Sequence, residues 1–184
     1  MAWSAFTAGL FTSGQILTAA QMNTFVRDNL LAGGPAFCKV SRVAALSLAD
    51  GAFVAVNFDT ENIDTNVMFT ATSNKITIKT AGYYQVNGHF SYNANATGQR
   101  YLAAVLNATF TGSGDTAVIS GGTRIVAQTA ATTVITQSVQ SLSTIYQFAV
   151  NDTLSLGAFQ NSGGSLGLNG TEGASLSVAW LGAP

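Results

Sequence analysis

The chain has 184 residues and a formal charge of −1, from seven basic and eight acidic side chains. Hydrophobic residues make up 47% and charged residues only 8%, which excludes a disordered chain and a basic nucleic-acid footprint. One His and one Cys exclude a multi-histidine metal centre, a cysteine cluster and an intrachain disulfide. After Arg124 there is no further Lys or Arg, and only Asp152 and Glu172 carry charge. The surface there is built from Ser, Thr, Asn, Gln and Gly, or is covered by another chain. Met1 to Gly14 is apolar but lacks the charged start of a signal peptide. No apolar run reaches the length of a membrane helix, so no membrane insertion is expected.

In chain order, the first expected element is a helix. Thr18 is placed as its N-cap, with Gln21 at the capping-box position. Met22, Phe25, Val26 and Leu30 then follow at helical spacing, and Gly33-Gly34-Pro35 ends the run. A helix of about 13 residues is marginal alone in water, so its apolar stripe needs a partner. Beyond Pro35 the period changes to two. Strands are expected at Phe53 to Phe58, Val67 to Phe69 and Lys75 to Lys79. A long strand starts at Gly82, with Tyr84, Val86, Phe90 and Tyr92 on one face and Tyr83, Gln85, Asn87 and His89 on the other. Further strands are expected at Tyr101 to Leu106, Ala117 to Ser120, Thr123 to Thr129, within Thr132 to Ala149, at Thr153 to Phe159 and at Ala174 to Trp180. Turn residues separate them at Ser73-Asn74, Gly112 to Asp115, Gly121-Gly122, Asn151-Asp152 and Gly163-Gly164. Nine or ten strands without interleaved helices predict a mainly β chain, an antiparallel sandwich preceded by one short N-terminal α-helix. A jelly roll satisfies that count.

Few residues suggest chemistry. His89 is expected at solvent or an interface, and Cys38 as a small packed hydrophobe. Asp59, Glu61 and Asp64 form an acidic cluster with Asn57, Asn62 and Asn66 nearby. Its spacing is not that of an EF-hand, so a solvated loop is expected, with calcium binding as the alternative. No nucleophile elbow, Walker loop or dinucleotide fingerprint can be placed. The expectation is a non-enzymatic chain without cofactor or metal.

Two stretches resemble known families. Ala81-Gly82-Tyr83-Tyr84-Gln85-Val86 is similar to a strand of the complement-q globular head and tumour-necrosis-factor jelly roll. Val56 to Asp59, Phe69 and Ile76 to Ile78 upstream fit that family's approach to the motif. Downstream, Arg100 to Asn107, Phe148 to Leu156 and Ala174 to Leu181 fit its later strands. Asn151 stands where the family's motif has Gly, and Asn also tolerates a left-handed turn. This resemblance implies a jelly-roll head over residues 35–184 that forms a homotrimer, with Tyr83, His89, Tyr146 and Phe159 as candidate contacts between copies. Phe11 to Leu30, containing Leu17-Thr18-Ala19-Ala20 and Asn23-Thr24-Phe25-Val26-Arg27-Asp28-Asn29, resembles the opening of tailed-bacteriophage tail-fibre and minor tail proteins. That implies an N-terminal anchor over residues 1–34, with Met22, Phe25, Val26 and Leu30 as the apolar stripe of its helix, packed on the domain body, on sister helices or on a docking surface. The expected function is a virion structural protein, a small tail-fibre or tail-tip trimer with a host-surface glycan as a further partner. Capsid decoration and a soluble glycan-binding lectin are the alternatives.

Overall fold

Alternating side chains and turn residues build fourteen β-strands among the described residues of the computed structural model. It describes residues 36–71, 74–107, 109–110, 119–120, 123–131, 138–170 and 173–184, together with 16, 18 and 19. The expected helix, its Met22, Phe25, Val26 and Leu30, and the turns at 112–115 and 121–122 lie outside the described residues.

The strands are β1 (Phe37–Arg42), β2 (Ser47–Leu48), β3 (Ala52–Ala55), β4 (Thr60–Asp64), β5 (Ile76–Thr77), β6 (Gly82–Tyr92) and β7 (Gln99–Leu106). They continue with β8 (Thr109–Phe110), β9 (Ile119–Ser120), β10 (Thr123–Ala131), β11 (Ser138–Phe148), β12 (Thr153–Gln160), β13 (Leu166–Gly167) and β14 (Ala174–Gly182). Two sheets face each other. One has the order β11-β6-β14-β1-β4; the other has β10-β7-β12-β3, with β5 also pairing β12. All the pairings are antiparallel. The first and last strands sit side by side, Phe37 opposite Ala179 and Arg42 opposite Ala174. This is the expected sandwich, with strands distant in sequence made neighbours.

The core lies between the sheets. Tyr84, Val86, Phe90 and Tyr92 from β6 are buried, as their alternation requires, and meet Leu176 and Val178 from β14. Leu102, Ala104, Leu154, Leu156 and Ala158 close the layer from the opposite sheet. Each Leu buried there contributes about 1.5–3 kcal/mol. Phenol groups that enter this layer find acceptors. The Tyr84 hydroxyl donates to the Thr80 carbonyl at 2.7 Å, and the Tyr92 hydroxyl to the Tyr101 carbonyl at 3.0 Å. Burial pushes the Tyr84 hydroxyl up to about 12.

Five strands were not among those expected from sequence: β2, β8 and β13, of two residues each, and the longer β1 and β4. Both carry charges in short runs, and Val40 is the one inward aliphatic of β1. The expected left-handed turn at Asn151 is present, with φ of 72°. Asn107 adopts the same conformation across the turn, at 51°. The two turns are tied together: Asn107 Nδ2 donates to Asp152 at 2.8 Å, and its Oδ1 accepts from the Thr153 amide at 2.8 Å. Gly82 is required where β6 begins, since a Cβ there would collide with the Gly182 carbonyl oxygen and the Trp180 indole nitrogen.

Candidate functional site

The outer face of the β11-β6-β14-β1-β4 sheet presents polar and exposed apolar side chains on one surface. Strand register places them in rows. One row runs Ser141, His89, Ser175, Ser41; the next runs Ser143, Asn87, Ser177, Lys39; a third runs Ile145, Gln85, Ala179, Phe37. The outward rows of β6, β11 and β14 contain no Asp, Glu, Lys or Arg. This grid falls into two halves of different chemistry.

At the end where β1 begins, five exposed apolar side chains form an arc, one from each strand. Ile145 on β11 is 58% exposed, Tyr83 on β6 42%, Leu181 on β14 54%, Phe37 on β1 39% and Ile63 on β4 51%. Diagonal register makes them neighbours: Gln85 faces Ile145, and Tyr83 lies one pleat further along β6. Four inter-strand gaps make the arc about 19 Å wide. Val67, 74% exposed, stands on the loop after β4 at the same end, with a φ of 49° that is unusual for a β-branched residue. The Asp64 carboxylate holds this loop, accepting from the amides of Asn66 at 3.1 Å, Met68 at 3.0 Å and Phe69 at 2.8 Å.

The other half is polar. A shallow groove of about 510 Å³ is bounded by Asn87, His89, Ser141, Ser143 and Ser175, with Val139 at its rim. His89 Nδ1 lies 2.8 Å from Ser175 Oγ. Gln85 Nε2 donates to Ser143 Oγ at 2.8 Å and to Asn87 Oδ1 at 3.3 Å, and Ser143 Oγ donates to Asn87 Oδ1 at 2.9 Å. These bonds direct the Asn87 oxygen towards β11.

The expected contact residues separate on this framework. Tyr83 is in the arc and His89 in the groove. Tyr146 instead turns inward, packing on the core with its ring 4.9 Å from Phe148. Phe159 is also spent within its own chain, 3% exposed in a cluster with Phe53, Ala103 and Val105. The even-numbered position of Tyr146 on a strand whose odd positions face outward explains the first result. The second arises because β12 is buried on both faces. Sequence reasoning missed Phe37, Ile63, Ile145 and Leu181. Alternation within β11 carried the signal for Ile145. The others needed the pairing of β1, β4 and β14.

The acidic cluster is taken apart by the fold. Asp59 accepts from the amides of Val43 at 3.1 Å and Ala44 at 2.9 Å and from the Thr60 hydroxyl at 2.9 Å, with Arg42 Nε at 3.4 Å. Desolvation opposes its ionisation, but these bonds and Arg42 outweigh it and hold the carboxyl below its usual range. Asp59 and Asp64 thus satisfy two different loops, and no group of three potential metal-ligating side chains occurs among the described residues. Cys38 faces the core, 1% exposed. Burial, then the charges of Asp64 and Glu61, push its thiol up to about 12, which makes it a poor nucleophile.

No family model matches the chain, and no curated protein matches it. Solved structures do. Eiger TNF from S. frugiperda superposes with a TM-score of 0.61 at 10% identity, over 82% of this chain and 95% of that one. The globular domain of zebrafish complement 1qA gives 0.57 at 13% identity, over 81% and 99%. Murine APRIL at pH 5.0 gives 0.58 at 9% identity, over 80% and 99%. The chain therefore has the jelly-roll fold of tumour-necrosis-factor and complement-q heads.

Proposed function

We propose that this chain is a non-enzymatic structural component of a tailed-phage virion, a homotrimer attached through its N-terminal segment. The apolar arc carries the reading. An arc that takes one exposed side chain from each of five strands is a surface for another protein. A second copy fits it, because the outward rows of β6, β11 and β14 carry no charge to repel an identical neighbour. Burying the arc gathers the copies at the end where residues 1–34 lead into β1. Three apolar stripes, each of Met22, Phe25, Val26 and Leu30, then lie together, and three linked anchors bind a repeated docking site with avidity. The resemblance of Phe11 to Leu30 to phage tail proteins is what assigns the docking site to a virion, as a tail-fibre or tail-tip attachment. Host-surface contact is the task of the head. Among the described residues, the Asp59 and Asp64 carboxylates are spent on backbone amides and the Cys38 thiol is buried, which fits a structural role.

The test replaces Phe25 and Val26 with Asp in the full chain. The double variant should keep the wild-type mass in solution and fail to enter particles. Normal incorporation would overturn the anchor reading.

A further inference from the structure

We propose that Asn169 is a self-modifying site: it loses its carboxamide nitrogen to attack by the Gly170 amide, and the position becomes aspartate or isoaspartate. Two Asn-Gly dipeptides occur in the chain, Asn87-Gly88 and Asn169-Gly170. Glycine after asparagine favours this reaction, because a backbone without a Cβ turns freely enough to bring its nitrogen onto the Asn Cγ. The step balances with water as the one co-reactant. The Gly170 nitrogen forms a bond to Asn169 Cγ and gives its proton to water. The Cγ–Nδ2 bond breaks, and the nitrogen takes a proton back and leaves as ammonia. Water then opens the five-membered imide. Opening at Cγ gives aspartate, and opening at the main-chain carbonyl gives isoaspartate.

The fold treats the two dipeptides differently. Asn169 lies between β13 and β14, half-buried, and Gly170 is exposed. A Cβ on Gly170 would meet nothing within 4 Å, so the imide ring has room. The bonds on either side do not oppose closure. The Asn169 amide donates to the Ser91 carbonyl at 2.9 Å, and the Asn169 carbonyl accepts from the Gly173 amide at 2.9 Å. Both Asn169 groups persist in the imide, and neither bond uses the Gly170 nitrogen. Asn87-Gly88 is held in the middle of a sheet. Gly88 is paired on both sides, opposite Leu142 of β11 and Leu176 of β14. A Cβ there would lie 2.9 Å from Leu156 Cδ1, so the ring has no space. Closure would also draw the Asn87 oxygen away from Gln85 Nε2 at 3.3 Å and Ser143 Oγ at 2.9 Å. That strand must open before the dipeptide can react. At Asn169 either product adds a carboxylate to a chain of formal charge −1. Isoaspartate also inserts one main-chain carbon into the turn that leads to β14.

The test incubates the full chain in heavy-oxygen water at pH 6 and pH 8, natively and in denaturant, and maps chymotryptic peptides by mass spectrometry. In the native chain Asn169 should convert at least tenfold faster than Asn87. The product should carry one heavy oxygen, and conversion should be faster at pH 8, where the attacking nitrogen loses its proton more readily. In denaturant the two sites should react at similar rates. Gly170→Ala, which adds a methyl in open space, should slow conversion at Asn169 tenfold or more. If that variant fails to fold, the native and denatured rates of the wild type decide alone. Native Asn169 that stays intact while the denatured chain converts would overturn the proposal. So would native Asn87 keeping pace with Asn169, a product without heavy oxygen, or a folded Gly170→Ala chain converting at the wild-type rate.

Discussion

Ile145→Asp is the sharpest perturbation of the arc. The side chain is 58% exposed in the single chain, so its replacement removes little from the core. Surface changes of this kind alter folding stability by about 0.5 kcal/mol, with a further few tenths from the poor strand propensity of Asp. In the proposed trimer the same side chain is buried. About 100 Å² of its apolar surface leaves water there, worth about 2.5 kcal/mol per contact at about 25 cal/mol per Å². Asp adds the cost of burying a carboxylate on a face whose β6, β11 and β14 rows offer no cation. The association constant should fall at least about a hundredfold, since each 1.4 kcal/mol is about a factor of ten. Sedimentation velocity across a dilution series reads this directly. Val43→Asp is the control, because Val43 is 60% exposed but lies beyond the far end of β1. The reasoning is refuted if Ile145→Asp keeps the wild-type mass at every dilution, or if Val43→Asp dissociates equally.

Gly82→Ala should cost about 3 kcal/mol or more in chemical denaturation, because the added methyl meets the Gly182 carbonyl and the Trp180 indole at a φ of 152°. An undisturbed midpoint would contradict that packing. The Asp59 carboxyl is held below its ordinary value in the folded chain, so its stabilising contribution is full above the unfolded value near about 4. That contribution is lost as pH falls through the lower folded value; Asp59→Asn should flatten the acid limb of the stability curve, and an unchanged limb would show the bonds to Val43 and Ala44 carry no such weight. Cys38 should resist thiol reagents in the native protein at pH 8 and react fully in denaturant, and rapid native labelling would contradict its burial beside Asp64.

The β6 face was legible because side chains alternate from Gly82 to Phe90, so Tyr83, Gln85, Asn87 and His89 could be assigned outward before any pairing was known. Asn151 was legible for a local reason too, since a turn needs a left-handed residue and Asn supplies one. What stayed hidden depends on partners far along the chain. β1 owes its place to β14, some 140 residues later, and its outward Phe37 joins the arc only through that pairing. The acidic cluster misled because spacing along the chain cannot show which amides a carboxylate will accept. Asp59 and Asp64, five residues apart, cap different loops. Phe159 needed knowledge that β12 is buried on both faces, whereas its alternation alone suggested a free aromatic.

The measurement that bears most directly on the proposed virion role is copy number per particle, by quantitative mass spectrometry of purified particles. The account predicts a small multiple of three, as a tail attachment requires. Hundreds of copies would move the trimer from the tail to the capsid surface. Absence from particles would contradict the virion reading and favour a soluble sugar-binding protein.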